Sequence, residues 1–258
     1  ENRGSAVGGV VGMDIAAKAT PDGYTLLAVS ASAVLNAALV NKTAVDQRVA
    51  FVPIVQLTTQ PYLLAIPSAV PAQSVAEFIA LAKAKPGALN YGSAGNGSMS
   101  HLGGELFNSL ANVNIAHIPY KGTGPALTDL LGGQVQMLFA GGISVTPQIK
   151  SGRLRVLGQS ALARTRLLPN IPTIAESGLP GFELNGWYGW LAPTGTPPVI
   201  VQALNREVQQ ILRAPEMLEK FAGDGSEPAP GTAEQLRELF NRDIEKWIKL
   251  FARMKVKL

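Results

Sequence analysis

The chain has 258 residues, of which 47% are hydrophobic and 16% are charged, and it contains no cysteine. This composition is typical of a folded α/β protein with one large or two medium domains, and it excludes disulfides and thiolate chemistry. The net charge is +4, but lysine and arginine form no cluster and aromatic residues are few, so we expect no nucleic-acid partner.

Three uncharged stretches are long enough to be tested as membrane spans, at 23–41, 49–76 and 130–149. The second contains four prolines, and the other two carry Asn, Gln, Ser or several glycines. These residues are unfavourable in a lipid-facing helix. We therefore expect no direct membrane insertion.

Taken in chain order, the sequence alternates between short β-rich runs and segments with helical periodicity. Strands are predicted at 24–29, 52–57, 62–66, 89–92, 115–118, 135–139, 154–159 and 187–192. Helices are predicted at 10–19, 74–85, 98–110, 124–131, 198–213 and 232–254. The repeated succession of strand and helix predicts an α/β fold with mostly parallel sheets flanked by helices, with functional loops at the carboxyl ends of the strands.

Small residues fill the connection between the strand at 89–92 and the helix at 98–110. The connection consists of Ser93, Ala94, Gly95, Asn96, Gly97 and Ser98. Ser98 is a predicted N-cap, and the first N–H groups of the helix have no intrahelical partner, so this place favours a bound anion. The hydroxyls of Ser93, Ser98 and Ser100 and the ring of His101 are further candidate donors. A tight turn with an ordinary cap is the alternative interpretation.

A second pair of strand ends repeats this chemistry. The residues concerned are Tyr120, Lys121, Gly122 and Thr123 after one strand, and Phe139, Ala140, Gly141 and Gly142 after the next. Residues 78–175 carry eight Lys or Arg against two acids, which suits a small anionic ligand, although a solvated basic surface is the more common explanation of such charge. Adjacent loops of this kind are expected to converge on one anion.

Other functional motifs fail on particular residues. Ser98 stands where a phosphate loop requires lysine, and the dinucleotide fingerprint lacks its third glycine. No residue separates Gly92 from Ser93, as a nucleophile elbow would require. The chain has two histidines and no metal-ligand spacing. We therefore predict no catalytic residue, no metal and no cofactor.

Longer segments resemble a known family. They are PDGYTLL (21–27), YGSAGNGSMSHLGGELF (91–107), HIPYKGTGPALTDLLGGQVQMLF (117–139), IKSGRLRVL (149–157), LPNIPTIAESGLPGFELNGWYGWLAPTGTPP (168–198) and EKWIKL (245–250). Together they resemble the Bug family, the extracytoplasmic solute receptors of tripartite tricarboxylate transporters. The resemblance covers nearly the whole chain. It implies a periplasmic binding protein of the Venus-flytrap type, whose partners are a small carboxylate and membrane transporter subunits.

The resemblance also implies a ligand site. It places 93–98, His101 and 120–123 at the ligand in one lobe, and it places Ser30, Ser32 and Asn36 in the facing lobe. Trp187 is expected to wall the pocket. The lobes are expected to comprise 1–62 plus 190–258 (lobe 1) and 63–189 (lobe 2), with crossings within 59–66 and 185–191.

Two departures from the family pattern affect these expectations. The family normally begins with a strand and a helix joined by a glycine-rich loop, so lobe 1 is expected to be incomplete here, and any export signal is expected to have been removed already. Ala140 stands where many relatives have an aspartate, which favours simple carboxylates over ligands that carry an amine. A sensory receptor that signals to a membrane kinase, or an enzyme acting on a small anion, are the alternative functions.

Overall fold

The structure is a computed structural model, and it describes the backbone of residues 10–40, 46–223 and 225–254. In chain order the elements are α1 (Val10–Ala17), β1 (Leu27–Ser30), α2 (Ala31–Val40), α3 (Gln47–Ala50), β2 (Phe51–Pro67), α4 (Val75–Ala84), β3 (Asn90–Ser93), α5 (Met99–Ala111), β4 (Ala116–Pro119), α6 (Thr123–Leu131), β5 (Met137–Gly141), α7 (Gly142–Lys150), β6 (Leu154–Gln159), β7 (Asn185–Pro193), α8 (Pro198–Leu212), α9 (Pro215–Gly223), β8 (Glu227–Pro228) and α10 (Ala233–Met254).

The chain divides into two compact units. Unit 1 contains the described residues of Glu1–Thr59, Gly186–Ala222 and Glu227–Leu258, and unit 2 contains those of Gln60–Asn185 and Gly223–Ser226. The chain therefore changes unit within β2 and at the start of β7, inside the two segments expected as crossings. The brief return at 223–226 was not expected. That the units are lobes which close on a ligand stays a prediction.

In unit 2, the strand order is β4-β3-β5-β2-β6. Strand β3 pairs in parallel with β4 and with β5, whereas β2 is antiparallel to β5 on one side and to β6 on the other. Strands β3, β4, β5 and β6 therefore all run in one direction, as their helical connections require. The expectation of mostly parallel sheets is right for these strand directions and wrong for the pairings made by β2, which enters unit 2 from unit 1.

In unit 1, β1 is antiparallel to β7, and β8 is antiparallel to β2, so the expectation of parallel pairing is wrong for these strands. Helix α10 packs against α2 and α8. One core cluster of this unit contains Ile54, Val55, Ala192, Val201, Val208 and Leu212.

The sequence patterns missed several elements for local reasons. Pro61 separated two predicted strands, but β2 is continuous because the proline lies between the residues that pair with β8 and those that pair with β5. Helix α2 is apolar or small at almost every position, so it lacks an amphipathic stripe. Helix α7 contains Pro147 and β-branched residues, which are typical of non-helical segments. Helices α3 and α9 and strand β8 were not predicted either.

Two consecutive glycines let α5 lie close to the unit 2 sheet. A Cβ on Gly104 would be 2.2 Å from the Tyr91 ring, and a Cβ on Gly103 would be 2.8 Å from the Phe139 ring. No larger residue fits without displacing these buried rings. Close packing through Gly103 and Gly104 therefore sets where the first turn of α5 lies relative to the ends of β3 and β5.

Candidate anion-binding site

Three helices begin at one edge of the unit 2 sheet. Helix α5 follows β3, α6 follows β4 and α7 follows β5, and these three strands are parallel neighbours. None of the three helices has an acidic residue in its first turn. The positive ends of three helix dipoles therefore lie along one edge without a compensating carboxylate in those turns. This arrangement fits an anion.

The loop between β3 and α5 is held by its own hydrogen bonds. Ser98 is the N-cap of α5, and its Oγ accepts from His101 N–H at 3.3 Å and donates to the Gly95 carbonyl at 2.6 Å. Ala94 N–H donates to Ser100 Oγ at 2.9 Å, and Gly97 N–H donates to His101 Nδ1 at 3.0 Å. The hydroxyls and His101 therefore fix the loop conformation, and their principal partners are loop atoms.

Two backbone donors remain at the start of α5. Among the hydrogen bonds of the described residues, none involves the N–H groups of Met99 and Ser100 as donors. In the first turn of a helix these groups point out of the helix along its axis. They are therefore donors that the first turn of α5 can offer to an anion.

A stack of rings lies beside the loop. The rings of His101 and His117 are 4.1 Å apart between centroids, and His117 stacks on Tyr91 at 4.9 Å. His117 Nε2 lies 2.6 Å from Ser93 Oγ, and the Tyr91 hydroxyl donates to Glu105 at 2.5 Å. Burial lowers the pKa of His101 and of His117 to about 4. Both imidazoles are thus neutral near pH 7.

Sequence reasoning gave His117 no part in the site. His117 lies beside the loop because β4 pairs in parallel with β3. This pairing sets His117 opposite Tyr91 and brings it to Ser93, which lies on the same strand as Tyr91. The sequence offered only a weak indication of this contact. Tyr91 and Ser93 are two residues apart and so lie on one face of a strand, but this spacing does not show which strand is the neighbour.

The second loop meets the first at the same edge. Tyr120 N–H donates to the Ser93 carbonyl at 3.0 Å, and a Cβ on Gly95 would be 3.2 Å from the Tyr120 carbonyl oxygen. Burial and a hydrogen bond to Asp129 raise the pKa of Tyr120 to about 12. Lys121 is exposed and Gly122 precedes α6 with φ +123°. The two loops predicted to converge are therefore in contact.

Other predicted site residues are less available to a ligand. Phe139 and Ala140 are 0% and 1% exposed. Phe139 stacks on Phe182, and Ala140 lies in a core cluster with Leu63 and Leu138. Neither side chain lines an open surface. Phe139 and Ala140 were predicted to bind the ligand, but their burial leaves them only an indirect effect, through where β5 ends and where α7 begins.

Proteins similar to this chain show the family to which it belongs. The model of the family described as the tripartite tricarboxylate transporter family receptor matches residues 1–256. The chain belongs to this receptor family. Protein BugT of Bordetella pertussis is 37% identical over 249 residues, which are 96% of this chain and 76% of BugT. A UPF0065 protein of the tcbD-tcbE intergenic region of Pseudomonas sp. strain P51 is 38% identical over 97% of this chain and 74% of that protein.

Solved structures of related proteins share the fold of this receptor. The structure of R. palustris Rpa4515 with adipate has a TM-score of 0.86 at 31% identity, over 98% of this chain and 85% of that one. The periplasmic binding protein BugD has a TM-score of 0.82 at 33% identity, over 100% and 86%. MatC of Rhodopseudomonas palustris with bound malate has a TM-score of 0.80 at 31% identity, over 95% and 85%. The predicted fold of a periplasmic solute-binding protein is confirmed, and the family is one of solute-binding receptors.

The residues expected from the facing lobe of the receptor lie in unit 1. Ser30 ends β1 and Ser32 lies in the first turn of α2, with 3.3 Å between their hydroxyl oxygens. The side chain of Asn36 lies outside the described residues. Trp187 is 2% exposed and its Nε1–H donates to Asp243 at 2.8 Å. Trp187 thus packs in the core of unit 1, so its predicted role as a pocket wall is not supported by its burial.

Two classes of site find no support in the described part of the receptor. No group of three His, Asp or Glu residues there is arranged to hold a metal ion. Over the same residues, no helix is both long enough and apolar enough to cross a membrane.

Proposed function

We propose that this receptor binds a small carboxylate at the edge of unit 2 where α5, α6 and α7 begin. The observation that carries the proposal is the arrangement of three helix starts without an acidic first-turn residue beside a loop of small residues. Backbone N–H groups and helix dipoles there stabilise negative charge. The adipate and malate in the related Rpa4515 and MatC structures have the ligand chemistry that such an edge favours.

The loop between β3 and α5 is already ordered, as a rigid binding site for a carboxylate would require. Hydrogen bonds from Ala94, Gly97 and His101 N–H groups are made within the loop, so little ordering is needed when a ligand arrives. Binding that needs little ordering retains more of the interaction free energy as affinity. Short dicarboxylates and hydroxycarboxylates are the ligand class that we expect.

Calorimetric titration tests this assignment. We expect adipate, malate and other mono- and dicarboxylates to include a binder, and we expect the diamide of the best dicarboxylate not to bind. The diamide has nearly the same shape but no charge, so it isolates the electrostatic contribution. A panel without a carboxylate binder, or equal affinity for acid and diamide, would contradict the proposal.

We further propose that the receptor works in the periplasm and delivers its ligand to the membrane subunits of a tripartite transporter. Family membership supports this role. Uptake of the labelled ligand by vesicles that contain the membrane subunits should require the purified receptor. Ligand-dependent binding to a sensor ectodomain, without any receptor-dependent uptake, would instead establish the sensory alternative.

A further inference from the structure

The loop that begins α5 contains a chemically reactive pair of residues. The sequence has two Asn-Gly dipeptides, Asn96–Gly97 and Asn185–Gly186. In such a pair the backbone nitrogen of the glycine can attack the side-chain amide carbon of the asparagine, because glycine has no Cβ to obstruct the approach. The two dipeptides therefore form an internal comparison, since the same chemistry lies in two different surroundings.

The surroundings of Asn96 favour this attack. Asn96 is exposed, and its side chain makes no hydrogen bond to the described residues. It lies between Gly95 (φ +120°) and Gly97 (φ +73°), both in the region of φ that glycine tolerates best. Gly97 and Gly186 are both buried, but Asn185 differs from Asn96 because it is itself half-buried and lies in β7. A strand in a sheet restricts the rotation that brings the amide carbon to the next nitrogen.

A base already contacts the attacking group. Gly97 N–H donates to His101 Nδ1 at 3.0 Å, so Nδ1 carries a lone pair and the ring proton lies on Nε2. The ring is 2% exposed and is held by stacking on His117. The other titratable groups beside this pair are Tyr91, which stacks on His117, and Glu105, which accepts from the Tyr91 hydroxyl.

We propose that Asn96 deamidates in the folded protein, with His101 as the base that takes the proton from Gly97 N–H. The Gly97 nitrogen forms a bond to Asn96 Cγ and the Cγ–Nδ2 bond breaks. The proton on His101 passes to the leaving nitrogen, which departs as ammonia. One water then hydrolyses the cyclic imide, so that asparagine and water give aspartate or isoaspartate and ammonia. No oxidant or reductant takes part.

The product would place a carboxylate next to the first turn of α5. A negative charge there competes with an anionic ligand for the same backbone donors and repels it. Deamidation would thus inactivate the receptor with age, a consequence that rests on the proposed function. The deamidation itself does not depend on that function.

Peptide mapping by mass spectrometry of protein incubated at about pH 7 tests the reaction. We expect Asn96 to deamidate at least about tenfold faster than Asn185, since the two share chemistry but not surroundings. We also expect the rate at Asn96 in the folded protein to equal or exceed that in a free peptide of residues 91–107. Slower reaction at Asn96 than at Asn185, or than in the peptide at every pH, would overturn the proposal.

The role of His101 has its own readouts. His101→Gln keeps an oxygen that can accept from Gly97 N–H but is not basic, and we expect it to slow deamidation at Asn96 by about 100-fold, the lower range for a positioned general base. In wild-type protein the rate should change little between about pH 5 and about pH 8, whereas the peptide rate should follow the hydroxide concentration. The wild-type pH profile needs no variant to fold. Faster reaction in His101→Gln would show that His101 protects Asn96 and would overturn the assignment.

Calorimetric titration with adipate and malate measures the effect of deamidation on ligand binding. The proteins compared are fresh protein, aged protein and an Asn96→Asp variant. Loss of binding in step with the extent of deamidation is the expected result. Undiminished binding by fully deamidated protein would refute the inactivation. If fresh protein binds no carboxylate, the proposed function fails, while the mass spectra still decide the chemistry at Asn96.

Discussion

Helices α5 and α6 follow the neighbouring strands β3 and β4 at one edge of the unit 2 sheet, but their first turns are built in opposite ways. At α5, Ser98 caps the helix, and the preceding loop is held by hydrogen bonds to Ser100 and His101. At α6, Gly122 precedes the helix with φ +123° and provides no side-chain cap. Side chains therefore fix the start of α5, whereas the backbone donors at the start of α6 have no side-chain cap.

This difference indicates how an anion site can be both selective and adaptable. A loop that is already ordered presents donors such as Met99 and Ser100 N–H at a small entropic cost. An uncapped helix start after a glycine can adjust to ligands of different length. We expect charge recognition to depend on the α5 start and tolerance of ligand size to depend on the α6 start.

The strongest test of this comparison adds a charge to the α5 loop. Gly97→Asp should lower carboxylate affinity by at least about 100-fold, or about 3 kcal/mol, because like charges at one site repel. Gly97→Asn is the matched control, since it has nearly the same shape and also tolerates a left-handed φ of 73°. Calorimetric titration with the tightest-binding dicarboxylate measures both. Equal affinities for the two variants would remove the α5 loop from the site.

A second test compares the packing of the two helices by unfolding in urea. Gly104→Ala should destabilise the protein by about 3 kcal/mol, because the new Cβ would lie 2.2 Å from the Tyr91 ring, which is held by stacking and by Glu105. Gly124→Ala in α6 has no atom within 4 Å of the new Cβ apart from its chain neighbours, so it should change stability by less than about 1 kcal/mol, because the gain in helix propensity is offset by the steric effect of Pro125 on the preceding residue. A similar small change in both variants would show that α5 can move away from the sheet at little cost.

The contrast between these two helices also shows what the sequence can and cannot predict. Strand ends, small loop residues and the Ser98 cap are local features, and they predicted the α5 start correctly. The hydrogen bond between His117 and Ser93 depends on which strands are neighbours. The burial of Phe139, Ala140 and Trp187 depends on packing from remote segments. These long-range contacts leave no periodicity in a single sequence.

A third test uses pH to challenge the ring stack beside α5. The pKa of His101 and of His117 is lowered to about 4 by burial, against about 6.5 in an unfolded chain. Between these values the unfolded chain binds protons that the folded protein does not, so the free energy of unfolding falls as pH falls from about 6.5 to about 4. Above about pH 6.5 neither state binds these protons, and the histidines add no pH dependence.

The expected loss is about 2 kcal/mol for the pair, reduced from the full linkage value because His117 is only half-buried. Urea unfolding at a series of pH values measures it. The double variant His101→Gln, His117→Gln should show a flatter profile over this range, since carboxylates that titrate in acid are common to both proteins. Identical profiles would mean that the stack remains intact when protonated.

The smallest expected effect separates capping from ligand binding. Ser98 Oγ accepts from His101 N–H at 3.3 Å, and Ser74 Oγ accepts from Glu77 N–H at 3.2 Å at the start of α4. Ser98→Ala and Ser74→Ala should therefore each cost about 1 kcal/mol of stability, as loss of an N-cap does. Only Ser98→Ala should also weaken carboxylate binding, by about tenfold, because its hydroxyl donates to the Gly95 carbonyl and so shapes the loop. Unfolding and titration of both variants measure these two quantities. If Ser98→Ala loses stability but no affinity, the loop is not ordered by its cap, and the proposed difference between the α5 and α6 starts does not hold.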